Sequence, residues 1–166
     1  KIKNLLNTLN FNNSSSLKQV SSHIKNEIIN SNFSDELIKE IYLSYKALGG
    51  PLKDPLVAIR SSATAEDLPG ASFAGQHSTF LYTTAATLLE NVKKSLASAW
   101  GFGVLSYRLH HGLDIRGIQY AMVLQKMVFA TRAGIAFSMN SHGNMADSVI
   151  NCGYGVGEGI VMDKVA

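Results

Sequence analysis

VAIRSSATAEDLPGASFAGQHSTFL, residues 57–81, is the stretch from which the fold is read. The apolar run Leu56 to Ile59 fits a buried strand, and it ends on a cation, Arg60, so the charge is held on something rigid. Ser61, Ser62 and Thr64 follow, then the acidic pair Glu66 and Asp67, then Pro69-Gly70 and a second run of small residues, Ala71 to Gly75. The segment is too polar and flexible to pack as core, yet too apolar at Phe73 to be a simple linker. Small side chains let backbone N–H groups approach a ligand, hydroxyls add donors, and an arginine supplies a planar fork of donors for oxyanions. Together these describe a phosphate-binding loop fed by a strand. The residue types alone leave Arg60 an equal alternative, a structural ion pair with Glu66 or Asp67.

RSSATAEDLP (60–69) followed by ASFAGQ (71–76) resembles the signature of the N-terminal nucleotide-binding domain of the phosphoenolpyruvate synthase family, to which rifampin phosphotransferase and pyruvate phosphate dikinase are related. The match is long, free of gaps and built from uncommon residue combinations. Later segments are similar to the same family: SYR at 106–108 with Gly112 and Asp114, QKM at 125–127, GIAFS at 134–138 and YGVGE at 154–158. The resemblance runs from about Asp35 to the end.

Composition sets the outer bounds. With 166 residues, 46% hydrophobic and 16% charged, the chain is ordinary globular material and enough for one domain. No apolar run approaches the roughly 20 residues of a membrane helix, so a membrane is not expected and the chain reads as cytoplasmic. The net charge of +3 is modest and the lysines are scattered, so nucleic acid is not the expected partner. Cys152 is the one cysteine, which excludes an internal disulfide and reads as small core filler in an apolar strand. A start at Lys1 and a stop at Val165-Ala166 suggest a piece of something longer.

The first fifty residues read as helical support. Ile2, Leu5, Leu6 and Leu9 fit the end of an amphipathic helix, and Asn10 to Ser15 breaks it. A second helix is expected from about Ser16 to Asn30, with Leu17, Val20, Ile24 and Ile28 on one face. Ser34 caps a third, whose first turn carries Asp35 and Glu36, where the helix dipole favours negative charge. Leu37, Ile38, Ile41, Tyr42, Tyr45 and Leu48 form its apolar face, and Gly49-Gly50-Pro51 stops it.

Beyond the central loop, Thr79 to Tyr82 alternates like a strand, and Thr87 to Glu90 has capping-box spacing. Leu88, Leu89, Val92, Leu96 and Trp100 then recur at helical spacing, so this helix packs on the core with Trp100 as an anchor. Gly101 and Gly103 interrupt it, and another helix carries Tyr107 and Arg108 to Gly112. IQYAMVLQKMV, residues 118–128, reads as a strand. Gln125 and Lys126 inside it need partners if buried or are hydrated if the strand surfaces there. Gly134 to Ser138 reads as its hairpin mate. Ser148 to Val161 ends a strand in glycines at 153, 155, 157 and 159. That spacing is not the dinucleotide fingerprint, which needs glycine where Glu158 stands, and no Walker A lysine motif occurs.

The resemblance implies an α+β fold, a partial ATP-grasp nucleotide-binding domain, with 1–50 as helical support and 51–166 as nucleotide-binding core. It implies that Arg60, the loop Ser72, Phe73, Ala74 and Gly75, Thr79, Gln125 and Met127 surround one ATP. Arg60 and the loop would hold the triphosphate, while Gln125 and the backbone beside Met127 would meet the adenine, because the family's QKM segment lines that pocket. ATP and Mg2+ are the implied cofactors. The family's metal-binding acids lie on later strands, so no metal ligand is assigned: Glu66 and Asp67 are set aside and Glu158 stays open. His77, His110 and His111 carry no phosphohistidine role, since the family's phosphorylated histidine lies on a separate swivelling domain. The implied reaction moves the β-phosphoryl group of ATP through that histidine to pyruvate, giving phosphoenolpyruvate, AMP and phosphate. The alternatives are a rifampin phosphotransferase-like enzyme and an inactive nucleotide-binding fragment.

Overall fold

The structure, a computed structural model, describes residues 2–7, 14–50, 54–63, 67–68, 71–72, 78–115, 119–140 and 143–161. Its contacts divide the chain into two units, Lys1–Met127 and Val128–Ala166. Helices and strands mix within the first, which makes the chain α+β. Among the described residues no helix is long and apolar enough to cross a membrane.

Helical periodicity builds the first cluster of the larger unit. Leu17, Val20 and Ile24 of α2 (Ser14–Asn30) bury with Leu6 of α1 (Ile2–Asn7), and with Leu105 and Ile115 from later in the chain. Burying each such side chain is worth about 1.5–3 kcal/mol. Ser14 and Ser15, expected to break the pattern, instead open α2; serine is at home in a first helical turn, where N–H groups lack partners.

A second cluster joins helices to the sheet. In α3 (Asp35–Gly49), Ser34 caps as expected, its hydroxyl accepting from the Leu37 N–H at 3.3 Å. The expected apolar face holds except at its start, where Leu37 is 41% exposed. Tyr45 is completely buried and donates its hydroxyl to the Pro55 carbonyl at 2.6 Å. Pro55 also lies so close to Gly49 that a Cβ there would meet the proline Cδ at 2.7 Å, and Gly50 turns the chain with φ of 74°. This joint fixes where β1 begins.

β1 (Val57–Ala63) is the middle strand of a three-stranded antiparallel sheet, flanked by β4 (Phe80–Thr83) and β5 (Tyr120–Lys126). Val57 and Ile59 point to one side, where they bury with Tyr45 and with Leu88 and Val92 of α4 (Leu88–Ser98), and Met122 and Leu124 of β5 pack on the same cluster. The sheet therefore has one face covered by helices. Asp67–Leu68 (β2) and Ala71–Ser72 (β3) form a separate short ladder.

Several sequence expectations are corrected. Arg60 is not at the end of its strand but at the centre, because Ser61, Ser62 and Ala63 continue the pairing with β5. Thr87 makes no capping bond into α4; its hydroxyl is engaged by Thr84, accepting from the Thr84 N–H at 3.1 Å. Gly103 does not interrupt a helix but lies inside α5 (Phe102–His110), for which Gly101 is the N-cap. Trp100 sits in the turn after α4 and packs against the first cluster, as the anchor reading requires.

In the smaller unit, β6 (Arg132–Phe137) pairs with β7 (Val149–Tyr154), not with β5. The strand after β5 was expected to fold back on it, but partner choice between apolar strands depends on contacts that periodicity does not encode. Gly155, at φ of 88°, turns the chain after β7 and donates to the Thr131 carbonyl at 2.9 Å. The short α6 (Glu158–Val161) follows and packs on both strands. Cys152 is exposed rather than core filler. It alternates with Asn151 and Gly153 on a two-stranded ladder, and its neighbours on that face, Ile150 and Tyr154, are also exposed.

Candidate functional site

Side chains alternate across a strand, so the positions that alternate with Val57, Ile59 and Ser61 face away from the helices. Those positions are Ala58, Arg60 and Ser62. Directly opposite them on β5 stand Gln125, Val123 and Ala121, and directly opposed residues share a face. Apart from Ala58, which is buried, all are exposed, Val123 by 48%. The sheet thus presents an open face centred on a guanidinium.

On the other flank, β4 pairs Phe80 with Ile59. One further step in that register sets Thr79, which is exposed, alongside Arg60. Three residues far apart in sequence are therefore gathered around one strand: Thr79 on one side, Arg60 in the middle, Gln125 on the other. With strands about 4.8 Å apart, the group spans about 10 Å. Arg60 and Gln125 touch, the guanidinium Nη1 donating to the Gln125 Oε1 at 3.4 Å. That contact runs diagonally, since Arg60 pairs with Val123 and Gln125 with Ala58.

The remaining expected site residues are placed less completely. Ser72 closes the β2–β3 ladder opposite Asp67, while Phe73, Ala74, Gly75 and His77, like Glu66, lie outside the described residues. Met127 is half-buried and follows β5; its N–H donates to the Leu56 carbonyl at 2.8 Å. That donor is spent inside the sheet and cannot serve a base. β5 is an edge strand of its sheet, and alternation leaves the peptide groups of Lys126 on the outer edge. Gln125 and Lys126 are both exposed, so the strand surfaces there as the hydrated reading expected.

Two residues belong to this region without having been legible. Tyr82 has φ of 53° and lies at an irregularity where β4 holds an extra residue between its pairings with Val57 and Ile59. A bulky side chain in that backbone region is strained by about 1–2 kcal/mol; glycine or asparagine would have signalled it. Val123 sits in an all-apolar run whose inward and outward positions look alike. Arg108, by contrast, is buried at the end of α5, where Nη2 and Nε donate to the Asp114 carbonyl at 2.8 and 3.2 Å. Burial lowers the pKa of its guanidinium, and the Asp114 charge partly offsets that. Its role there is to close the helix end.

His110 and His111 are exposed neighbours with rings edge-on at 5.3 Å. No cluster of three or more metal-ligating side chains occurs among the described residues. Two grooves of about 400 and 530 Å³ lie among helices. The first is lined by Ile41, Leu48, Val92 and Leu124, the second by Phe33, Ile38, Leu89 and Lys93. Both grooves also carry carboxylates, Glu40 in the first and Asp35 and Glu90 in the second, which repel a polyanion; the open face has a cation at its centre.

Comparison with known proteins bears on what the chain belongs to. Residues 1–166 match the family model described as pyruvate phosphate dikinase, AMP/ATP-binding domain. The chain is 37% identical over 168 residues to a probable phosphoenolpyruvate synthase of Pyrococcus horikoshii, covering 99% of this chain and 20% of that protein. It is 35% identical over 169 residues to phosphoenolpyruvate synthase of Escherichia coli K12, covering 99% and 21%. It is 41% identical over 110 residues to rifampicin phosphotransferase of Streptomyces sviceus, covering 65% and 13%. The chain thus spans about a fifth of the length of the synthases it matches. The resemblance drawn from RSSATAEDLP and ASFAGQ holds across the whole chain.

Proposed function

The chain belongs to the pyruvate phosphate dikinase AMP/ATP-binding domain family, and from that premise we propose that it binds ATP on the open face of the β4–β1–β5 sheet. The observation that carries this is the convergence of Thr79, Arg60 and Gln125 on one exposed face of a sheet whose other face is packed on helices. Arg60 is centred on a strand held on both flanks, so its guanidinium is aimed with little freedom to lose on binding. It holds the triphosphate through charge-assisted hydrogen bonds. Thr79 adds a hydroxyl, and the segment Ser72–Gly75 adds backbone donors. The base lies toward the outer edge of β5, at the peptide groups of Lys126 beside Met127.

The fold is part of an ATP-grasp domain, and the parent protein is a phosphoenolpyruvate synthase-like phosphotransferase. There the β-phosphoryl group of ATP passes by way of a histidine on a swivelling domain to pyruvate, in the cytoplasm. Such a transfer is catalysed mainly by positioning and by neutralising charge, the task for which Arg60 is fitted. Magnesium, which accompanies ATP in this chemistry, finds no cluster of three ligating side chains among the described residues; it arrives with the phosphate oxygens, which suit a hard cation. A second reading, an antibiotic acceptor in place of pyruvate, is favoured by the 41% identity to rifampicin phosphotransferase.

The test is Arg60→Ala in the intact enzyme. Loss of a charged contact made in the transition state costs a few kcal/mol, so turnover should fall by more than about tenfold with the fold unchanged by circular dichroism. Turnover near that of the parent would remove Arg60 from the site. The isolated 166 residues should bind ATP without transferring phosphate; release of AMP and phosphate by them would overturn the multidomain reading.

A further inference from the structure

We infer that Ser62 is a further ligand-positioning residue of the open face, its hydroxyl donating to the terminal phosphate of ATP. This rests on the proposed nucleotide site and fixes the direction in which the triphosphate runs along it.

Register lays the face out as a scale. The base sits at Lys126, which pairs with Val57. Arg60 lies three positions farther along β1 and Ser62 five, which at about 3.4 Å per residue is about 10 and 17 Å from the base end. Two positions apart on one strand, Arg60 and Ser62 share a face, and both are exposed. A nucleotide is linear in its chemistry: base, sugar, then phosphates in a row. Laid along β1 from Lys126, it brings its inner phosphates to Arg60 before its last one reaches Ser62.

The relief of the face favours the same order. Ser62 pairs with Ala121, which is also exposed, so beyond Arg60 the floor is made of two short side chains. Arg60 leans the other way. Its Nη1 donates to the Gln125 Oε1 at 3.4 Å, and Gln125 stands opposite Ala58, toward the base end. A guanidinium has five N–H donors, so the others remain for phosphate oxygens. The floor on the far side is left open, and the hydroxyl it carries is that of Ser62. Phosphate oxygens only accept, and a hydroxyl can donate to them. Ser61, half-buried, alternates to the helix-covered side and cannot share the task. The backbone of Ser62 is held in place, because the pairing of β1 with β5 runs unbroken from Val57 to Ala63.

The experiment uses the full-length protein with Ser62→Ala, Ser62→Thr and Arg60→Ala. The probes are the α,β-methylene analogues of ATP and ADP, which differ only in the terminal phosphate and cannot give up the β-phosphoryl group. Binding is measured by titration calorimetry. Ser62→Ala should weaken the triphosphate analogue about 10-fold, the low end for one hydrogen bond to a charged group, and leave the diphosphate analogue within about twofold. Ser62→Thr keeps the hydroxyl and should keep triphosphate binding within about threefold of the parent. Arg60→Ala should weaken both analogues. Equal weakening of the two by Ser62→Ala, or no weakening of either, would overturn the assignment, as would a loss in Ser62→Thr as large as that in Ser62→Ala. If Arg60→Ala leaves both analogues bound as in the parent, the nucleotide face itself is wrong, a failure separable from the others.

Discussion

Replacing Tyr45 by phenylalanine tests whether the scaffold is held where the structure holds it. The ring is completely buried in the cluster that carries Val57 and Ile59, and its hydroxyl donates to the Pro55 carbonyl at 2.6 Å. Phenylalanine keeps the ring packing and deletes one hydrogen bond. Because Pro55 is itself buried, its carbonyl loses this donor where water cannot readily replace it, a situation worth about 1–3 kcal/mol. At a urea slope of about 1–3 kcal/mol per molar, the midpoint should fall by about 1 M, followed by circular dichroism and by the fluorescence of Trp100. A second readout is pH. Burial raises the Tyr45 phenol above its ordinary value, and the neighbouring Asp54 carboxylate pushes in the same direction. The unfolded chain therefore releases this proton first, so as pH climbs past about 10 the unfolded state binds fewer protons and stability declines. The contribution is complete below that pH and lost through the folded pKa. Tyr45→Phe should lack this alkaline decline. A variant within about 0.3 kcal/mol of the parent at neutral pH, with the same decline above pH 10, would show that the joint between α3 and β1 does not depend on this bond.

Two further substitutions probe features of unequal kind. Tyr82→Asn should stabilise by about 0.5–1 kcal/mol, since asparagine tolerates the left-handed backbone at φ of 53° better than tyrosine does; a loss of stability in urea denaturation would mean that the half-exposed ring contributes more than its backbone strain costs. Ser95→Ala should be neutral or stabilising by up to about 1 kcal/mol, because the Ser95 hydroxyl is buried in α4 without a hydrogen-bond partner among the described residues and alanine removes that desolvated group while improving helix propensity. Destabilisation beyond about 1 kcal/mol, read from the same denaturation curves, would show that the hydroxyl has a partner in solution.

How much of this was legible depends on how far each feature depends on distant partners. Helix α3 was readable nearly to the residue, because its cap at Ser34, its acidic first turn and its glycine stop are local chemistry. The buried stripe of α2 was readable for the same reason. β1 was recognised but cut short at Arg60, because Ser61 to Ala63 look like loop by composition and are held as strand by β5, some sixty residues later. The mistaken pairing of β6 and the exposed Cys152 have the same origin. Periodicity says that a segment is a strand; it does not say which neighbour takes its edge or whether a second layer covers its face.

The candidate site shows the same division in sharper form. Arg60 could be picked out from the residues around it and Gln125 was expected in the same site, but the direct contact between them could not be read, because nothing in RSSATAEDLP points to position 125. Sequence reasoning instead offered Glu66 or Asp67 as the structural alternative, carboxylates a few residues away. The described contact of Arg60 is to a neutral amide across the sheet, and the distinction matters chemically. A carboxylate would neutralise the guanidinium and compete with an incoming phosphate, whereas an amide oxygen orients the cation and leaves its charge intact. Central placement matters as well: a cation at the end of a strand could swing with the loop, whereas the backbone of Arg60 is held at the middle of β1, paired with β5 opposite Val123, and Thr79 immediately precedes β4 on the other flank.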